Sequence, residues 1–241
     1  MLSVIIPTYN EEKNLPGLLD ALTKEKNIEI EIIIADKPGK DKTREVAKKY
    51  GCRITDGGTP AEGRNKGAKI AKGDIILFLD GDIRLPPNFL IQSIADFETR
   101  NLDIASYHLY PIKGNIKLNR FSIDLLYNRP QTILKRKFPM GAMGIMVRKN
   151  IFDKIGGFDS SIKLAEDMYF VQQAAEMGRF GIIKNVPIFM PTRRFDKDGY
   201  FRTGLKYLIC GVHMLFKGPV RSGRVFEYKF NHYDDDKNNK C

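Results

Sequence analysis

Short apolar runs alternate with segments of helical periodicity through the first hundred residues. The apolar runs cover residues 3–7, 28–35, 52–55 and 75–79. Between them, apolar residues recur at helical spacing over residues 10–26, 42–50, 60–71 and 87–98. Apolar runs without polar alternation are typical of strands buried on both faces. Strands that alternate with helices in this way predict an α/β fold, with a mixed, mainly parallel sheet flanked by helices.

The rest of the chain extends this pattern and ends in a polar tail. Strands are predicted at residues 103–111, 143–147 and 182–189, and helices at 116–135, 165–177 and 199–216. Residues 231–241 are mostly charged or amide side chains that cannot form a core, so we expect them to be disordered. Thr59, followed by Pro60 and Glu62, is a capping-box signature and marks the start of the third helix.

The net charge of +11 comes entirely from the C-terminal part of the chain. Residues 1–100 hold 16 basic and 16 acidic side chains, whereas the other 141 residues hold 24 and 13. Such an excess indicates an anionic partner, which is phosphate, an acidic substrate or a membrane surface. Residues 198–230 combine basic side chains with an apolar helical stripe. This helical basic extension is predicted either to pack on the core or to make a peripheral contact with an anionic membrane.

The three cysteines show neither a disulfide framework nor metal-ligand spacing. No charged leader precedes the first strand, and the longest apolar stretch, near residues 205–216, is too short to span a bilayer. We therefore expect a cytoplasmic protein, with the inner face of the membrane as the alternative location.

Two carboxylates, Asp80 and Asp82, directly follow the apolar run at residues 75–79. Ligands of open α/β sheets bind beyond the carboxyl ends of the strands. An unpaired buried carboxylate is costly, whereas a divalent cation that also contacts phosphate oxygens would satisfy both acids. The pair therefore predicts a metal-dependent site for a nucleotide diphosphate.

Other predicted strand ends also carry polar side chains. Thr8, Tyr9 and Glu11 follow the first strand, and Asp36 follows the second. Each of them, taken alone, is equally compatible with an ordinary turn. Several strand ends that each suit one part of a nucleotide favour a shared binding site.

Arg64 and Lys66 lie near the start of the third helix, between Gly63 and Gly67. Positive charge and close backbone approach near a helix N-terminus suit a diphosphate. In the alternative interpretation, the cations form a solvated face and the glycines allow the helix to pack closely on a strand. The acids that end the next strand favour the first interpretation.

In their order and spacing, these segments resemble family 2 glycosyltransferases of the GT-A fold. The resemblance covers about residues 1–195. The segments that carry it are residues 3–12, 36, 64–67, 80–82, 156–159 and 166–167.

The resemblance implies a donor site for a nucleotide sugar in residues 1–100. The residues that match this site are Pro7, Thr8, Tyr9, Glu11, Asp36, Arg64, Asp80 and Gly81. Asp82 matches the direct ligand of Mn or Mg, with Asp80 beside it at the ribose and the metal. Asp36 implies uracil, with guanine as the alternative, so the expected donor is a UDP- or GDP-sugar.

The resemblance also implies a catalytic pair and an acceptor site within residues 101–197. Asp167 matches the general base that takes a proton from the acceptor hydroxyl, and Glu166 lies beside it. A single displacement would invert the anomeric centre of the sugar. The expected acceptor is a glycan or lipid-linked hydroxyl of the kind used in cell envelope glycan biosynthesis.

Arg193 and Arg194 are further candidates, on their charge alone, to clamp the diphosphate or an anionic acceptor. Surface charge is the alternative explanation. The chain also departs from the family's pattern. Residues 37–39 replace the acidic run that commonly follows the first aspartate, and Gly81 stands where alanine is more common. The chain has no Trp, so it lacks the tryptophan motif of processive synthases, and we expect transfer of one or a few sugars.

Three other functions stay open. A polyprenyl- or dolichyl-phosphate sugar synthase, which the chain also resembles, would use an acceptor that is already ionised and needs no general base. A catalytically silent relative would only bind nucleotide. A nucleic-acid-binding protein would fit the pI of about 9.5. Because the acidic strand ends would repel a phosphate backbone, we expect no nucleic acid partner.

Overall fold

A computed structural model describes residues 1–112, 116–192, 209, 213–214 and 218–221. The strands of this part are β1 (Leu2–Thr8), β2 (Ile30–Asp36), β3 (Arg53–Asp56), β4 (Ile75–Leu79), β5 (Ile104–Pro111), β6 (Gly144–Arg148) and β7 (Phe180–Met190). The helices are α1 (Leu15–Thr23), α2 (Thr43–Lys49), α3 (Pro60–Ile70), α4 (Phe89–Thr99), α5 (Ile116–Ile123), α6 (Arg129–Leu134), α7 (Lys149–Ile155) and α8 (Glu166–Met177). A π-helical segment, Asp124–Asn128, joins α5 to α6.

The seven strands of the described part form one sheet in the order β3-β2-β1-β4-β6-β5-β7. β1 pairs in parallel with both β2 and β4, and β2 pairs in parallel with β3. β6 runs antiparallel to β4 and β5, and β5 pairs in parallel with β7. The sheet is therefore mixed and mainly parallel, as predicted. β1, β2 and β4 end at the same edge of the sheet, where the predicted polar strand ends meet.

Two buried clusters cover the two faces of the sheet, because successive side chains of a strand point to opposite faces. The first contains Val4 and Ile6 of β1 and the apolar faces of α1, α2 and α4. The second contains Ile5 of the same strand and the apolar faces of α3, α7 and α8. In the second cluster, Phe158 and Phe170 stack with ring centroids 4.2 Å apart.

The sequence pattern predicted most of these elements. β4 coincides with the predicted strand, and all five of its residues are buried. The capping box before α3 is present, since the Thr59 side chain accepts from the Glu62 backbone and the Glu62 carboxylate accepts from the Thr59 backbone. α1 begins at Leu15, later than predicted, because Asn10 has a left-handed backbone with φ 57° and turns precede the helix.

Two features of the fold differ from the prediction. α7 is an additional helix of seven residues, too short for its apolar positions to show helical periodicity in the sequence. The predicted helix over residues 116–135 is present, but the π-helical segment interrupts it. A π turn holds an extra residue and is found preferentially at functional sites.

Part of the C-terminal extension packs on the protein. Met214 and Val220 are buried and form a small cluster with Phe138, Leu164 and Met168. Val220 also pairs with Leu164 through an isolated β-bridge. These residues contact the core, whereas most of the predicted helix at 199–216 and the whole predicted disordered tail at 231–241 lie outside the described residues. Within the described part, no helix has the length and apolarity needed to cross a bilayer.

Candidate functional site

Side chains join the carboxyl ends of β1, β2 and β3. Thr8 and Asp36 are register partners, and the Thr8 hydroxyl donates to Asp36 Oδ1 at 2.8 Å. Arg44 Nε donates to Asp36 Oδ2 at 2.9 Å, and Arg44 Nη2 donates to Asp56 Oδ1 at 2.7 Å. Asp36 is only 3% exposed, so these bonds hold its carboxylate in one orientation. Each carboxylate oxygen keeps further acceptor capacity, because it has two lone pairs.

The loop after β4 packs against the end of β1. A methyl group placed on Gly81 would lie 3.3 Å from Thr8 Cγ2 and 3.3 Å from Glu11 Cγ. This close approach explains why a small residue is needed here. It also brings the loop that carries Asp80 and Asp82 next to two other residues predicted for the donor site.

Arg64 lies between two acids from distant parts of the chain. Its Nη2 donates to Asp80 Oδ1 at 3.0 Å, and its Nη1 donates to Glu166 Oε1 at 2.8 Å. Burial alone would lower the pKa of Arg64, but attraction to Asp80, Glu166 and Asp167 outweighs it and raises the pKa. Arg64 is therefore a buried, permanently charged link between the loop after β4 and the start of α8.

The two glycines of α3 allow the helix to approach the sheet. A methyl group on Gly67 would lie 2.4 Å from Ile5 Cγ2, and one on Gly63 would lie 3.1 Å from Pro7 Cβ. The alternative interpretation of these glycines, close helix–strand packing, is thus confirmed. Lys66 is exposed and donates from Nζ to the Gly57 carbonyl at 2.8 Å.

Glu166 and Asp167 form the first turn of α8, where acids are favoured by the helix dipole. The preceding residue, Ala165, has a left-handed backbone with φ 61° that turns the chain into the helix. Burial, followed by the negative charge of Glu166, raises the pKa of Asp167 to about 7. The Arg64 guanidinium and the Met168 backbone N–H, which donates to Asp167 Oδ1 at 2.7 Å, act in the opposite direction.

Asn65 connects α3 to the loop that precedes α8. Its Nδ2 donates to the Phe158 carbonyl at 2.8 Å, and its Oδ1 accepts from the Phe158 N–H at 2.8 Å. The Phe158 ring lies under the Arg64 guanidinium, 5.2 Å from it. Gly157 has φ 86°, and a methyl group on it would lie 2.5 Å from Asn65 Oδ1. The segments at residues 64–67 and 156–159, which both carry the family resemblance, therefore pack together around Arg64.

The sequence did not indicate Tyr127, which lies near Asp167, or its hydrogen-bond partner Ser106. Burial and the charge of Asp167 raise the pKa of Tyr127, while a hydrogen bond with Ser106 lowers it. Gln131 Nε2 donates to Ser106 Oγ at 2.8 Å. The residue pattern gave no signal for Tyr127, because the π-helical segment that carries it is visible only in the structure.

The acids after β4 suit a cation that also binds phosphate oxygens and water. In the described residues, no three His, Cys, Asp or Glu side chains gather into a group that could hold a metal ion. Mg²⁺ does not need such a group, because it commonly binds one or two carboxylates together with substrate phosphates and water. Asp80 and Asp82 provide hard oxygen ligands of that kind, so the residues fit Mg²⁺ or Mn²⁺.

Tyr9, Arg193 and Arg194 were also predicted to bind the donor or an anionic acceptor. Tyr9 directly follows β1, and Lys37 Nζ lies 4.8 Å from its ring centroid. Arg193 and Arg194 lie outside the described residues, and their predicted role stays a prediction.

Comparison with known proteins places the chain in a family. Residues 3–158 match the family model described as "Glycosyl transferase family 2". The chain belongs to glycosyltransferase family 2. The match includes the residues predicted for the donor site, from Pro7 to Asp82, and the loop with Phe158, whereas Glu166 and Asp167 lie beyond it.

Two sequence relatives of this family 2 chain are longer than it is. An uncharacterised glycosyltransferase of Haemophilus influenzae is 30% identical over 181 residues, which cover 71% of this chain and 60% of the relative. The poly(ribitol-phosphate) β-N-acetylglucosaminyltransferase TarS of Staphylococcus aureus is 26% identical over 210 residues, which cover 80% of this chain and 35% of TarS. The chain thus spans less than two thirds of the length of either relative.

Solved structures share the fold. S. aureus TarS 1–349 in complex with UDP-GlcNAc has a TM-score of 0.65 at 18% identity, covering 95% of this chain and 76% of that one. The mannosyltransferase PcManGT from Pyrobaculum calidifontis, in complex with GDP-Man and Mn²⁺, has a TM-score of 0.64 at 17% identity. It covers 86% of this chain and 64% of that one. The GT-A architecture expected from the sequence is thereby confirmed.

Proposed function

We propose that the chain is an inverting glycosyltransferase that moves a sugar from a nucleotide diphosphate sugar to a hydroxyl acceptor. The observation that supports this most strongly is the pairing of the buried Arg64 with Asp80 and Glu166, next to Asp167, whose pKa is raised to about 7 by burial and by the charge of Glu166. A carboxylate with a pKa near neutrality is a suitable general base, because about half of it is ionised at pH 7 and it accepts a proton readily. Family 2 membership agrees with this proposal.

The donor is proposed to bind along the carboxyl ends of β1, β2 and β4. Asp36, oriented by Thr8 and Arg44, would accept from the base. Pro7, Tyr9 and Glu11 would line the nucleoside site, with Gly81 allowing the close approach of the next loop. Complexes of TarS with UDP-GlcNAc and of PcManGT with GDP-Man support a UDP- or GDP-sugar as the donor.

Asp82, with Asp80 beside it, would hold Mg²⁺ or Mn²⁺. When bound, the ion would neutralise charge that develops on the departing diphosphate. The Mn²⁺ in the PcManGT complex supports this choice of metal. Arg64 would keep Asp80 in place, because its guanidinium is bonded to Asp80 on one side and to Glu166 on the other.

Asp167 would carry out the proton transfer. It would accept the proton of the acceptor hydroxyl as that oxygen forms a bond to the anomeric carbon and the bond to the diphosphate oxygen breaks. The attack occurs from the side opposite the leaving group, so the anomeric configuration inverts. The proposed acceptor is a glycan or lipid-linked hydroxyl, in keeping with the poly(ribitol-phosphate) in the name of TarS.

Two measurements test the donor site. Thermal unfolding with Mn²⁺ and either UDP-GlcNAc or GDP-Man should show stabilisation, about 2.7 kcal/mol at a hundredfold the dissociation constant. Turnover of the same donors should then be lost in Asp82→Ala and in the presence of a chelator. Full turnover in Asp82→Ala would exclude Asp82 as the metal ligand. Full turnover with the chelator would exclude metal dependence.

The general base is tested with Asp167→Asn. We expect this variant to keep donor binding and to lose about a hundredfold or more in transfer to a hydroxyl acceptor. Asp153→Asn, an exposed aspartate paired with Lys149, is the matched control and should keep wild-type turnover. If Asp167→Asn transfers normally to a polyprenyl phosphate, the acceptor is an ionised phosphate and the hydroxyl proposal is wrong.

A further inference from the structure

The helical segment at residues 116–134 has one face that is packed and one that is open. On the packed face, Asn128 is fully buried and pairs with both the N–H and the carbonyl of Leu109, at 2.9 and 3.0 Å. Gln131 is also fully buried and donates to the Met140 carbonyl at 3.1 Å. These bonds attach the segment to β5 in one orientation, and they therefore determine which of its side chains face outward.

Large apolar side chains are concentrated on the open face. Five of the nine exposed large apolar residues of the described part lie within residues 121–134. They are Phe121 at 58%, Leu125 at 47%, Leu126 at 59%, Ile133 at 78% and Leu134 at 40% exposure. Single exposed apolar residues are ordinary, whereas a continuous apolar patch marks an interaction surface.

The π-helical segment changes how these residues are spaced around the helix axis. Phe121, Leu125 and Ile133 are spaced by multiples of four, which in a regular α-helix would drift around the axis. A π turn holds more residues than an α turn, and the segment at 124–128 therefore reduces this rotation between the three positions. The same inserted turn carries Asn128, whose bonds to Leu109 hold it in place.

The sequence around the apolar residues is rich in basic side chains. Residues 112–140 contain seven Lys and Arg side chains and a single acid, Asp124. Lys135, Arg136 and Lys137 are exposed and directly follow the last apolar pair. An exposed apolar helix face bordered by cations is complementary to a bilayer with anionic headgroups, where apolar side chains enter the acyl boundary and cations contact the lipid phosphates.

We propose that residues 121–137 form a membrane-docking surface for anionic lipid bilayers. Of the C-terminal basic extension, the described residues Met214 and Val220 are buried beside Phe138, which directly follows this surface in the chain. The inner side of the same segment carries Tyr127, which packs against the core and whose pKa is raised by burial and by the nearby charge of Asp167. Docking would therefore hold the acceptor side of the protein at the bilayer, and only this last step depends on the proposed transferase function.

Vesicle binding tests the surface without any turnover measurement. The full chain should co-sediment with vesicles of phosphatidylglycerol and phosphatidylcholine, more weakly with phosphatidylcholine alone, and more weakly as salt is added. The triple variant Phe121→Ser, Leu125→Ser, Ile133→Ser should lose about tenfold or more in binding. The matched control is Ile91→Ser with Met177→Ser, two exposed apolar residues elsewhere, which should bind as the wild type does.

A fluorescence measurement keeps the test independent of variants that fold poorly. The chain contains no Trp, so Leu125→Trp provides a single probe without background. Its emission should shift to the blue on addition of phosphatidylglycerol vesicles, whereas the emission of Met177→Trp should not change.

Several results would overturn the proposal. These are absent vesicle binding, wild-type binding by the triple variant, or an unchanged Leu125→Trp spectrum. Sedimentation velocity that shows dimers of the wild type and monomers of the triple variant would instead identify a second copy as the occupant. A large fall in the unfolding temperature of the triple variant would show that another part of this chain covers the face.

Discussion

Arg64 and Glu166 are 102 positions apart in the chain, and Arg64 Nη1 donates to Glu166 Oε1 at 2.8 Å. The other arm of the guanidinium bonds Asp80. One buried cation thus connects the proposed metal-binding loop to the proposed catalytic pair. Because a charge that is buried and paired at both ends cannot move freely, it fixes the distance between donor-side and acceptor-side groups.

Removing the positive charge of Arg64 should destabilise the protein. Arg64→Met would leave Asp80 and Glu166 without their partner, and we expect a loss of about 3 kcal/mol in the free energy of unfolding. Arg64→Lys keeps the charge but lacks the planar fork that serves two acids, so we expect an intermediate loss. Urea denaturation measures both.

The matched control for Arg64 is Arg129→Met. Arg129 pairs with Asp124 at 2.9 Å, but its side chain is 60% exposed. An exposed pair contributes little, so this change should cost less than about 0.5 kcal/mol. Equal losses in the Arg64 and Arg129 variants would contradict the structural role of Arg64.

The pH dependence of transfer should report Asp167. Its pKa is raised to about 7, and the base must be ionised, so kcat/KM should rise with pH and reach half its maximum near pH 7. Glu166→Gln removes a negative charge that raises this pKa, so the rising limb should move to lower pH. A limb that stays in place in Glu166→Gln would assign it to another group.

The same carboxyl should affect stability in the opposite sense. Its folded-state pKa lies above the ordinary value of 3.8, so the folded protein binds a proton more readily than the unfolded chain between about pH 4 and 7. Its contribution to the free energy of unfolding therefore falls as pH rises through this window. Asp167→Asn should remove this dependence and be more stable than the wild type at pH 8 by about 1 kcal/mol or more. Parallel stability curves for the two proteins from pH 5 to 8 would contradict the raised pKa.

Asn65 should be important for both stability and transfer. Asn65→Ala removes both hydrogen bonds to the Phe158 backbone, and we expect a loss of about 1–3 kcal/mol. Transfer should also slow, because Phe158 supports the Arg64 guanidinium. Asn185→Ala, at an exposed asparagine of β7, should change neither quantity. Unfolding curves that coincide for the two variants would reject this role of Asn65.

Much of the fold could be predicted because local chemistry determines it. β4 has five consecutive apolar residues, and α3 begins at a capping box whose three residues are neighbours in the chain. The strand ends at Thr8, Asp36 and Asp80 followed from the same pattern, since parallel strands present their carboxyl ends at one edge. α7 was not predicted, because seven residues carry too little periodicity.

The contacts of Arg64 and the pKa of Asp167 could not be predicted from the sequence, because they depend on residues that are distant in the chain. The sequence by itself determined the order of strands and helices, the presence of acids at strand ends, and the position of Glu166 and Asp167 at a helix start. Only the tertiary structure decided that Arg64 is buried between two of these acids, that burial raises the pKa of Asp167 to about 7, and that residues 121–134 expose five large apolar side chains. The physical reason is that propensity and capping act between neighbours, whereas desolvation and charge pairing are set by whichever segments the fold brings together.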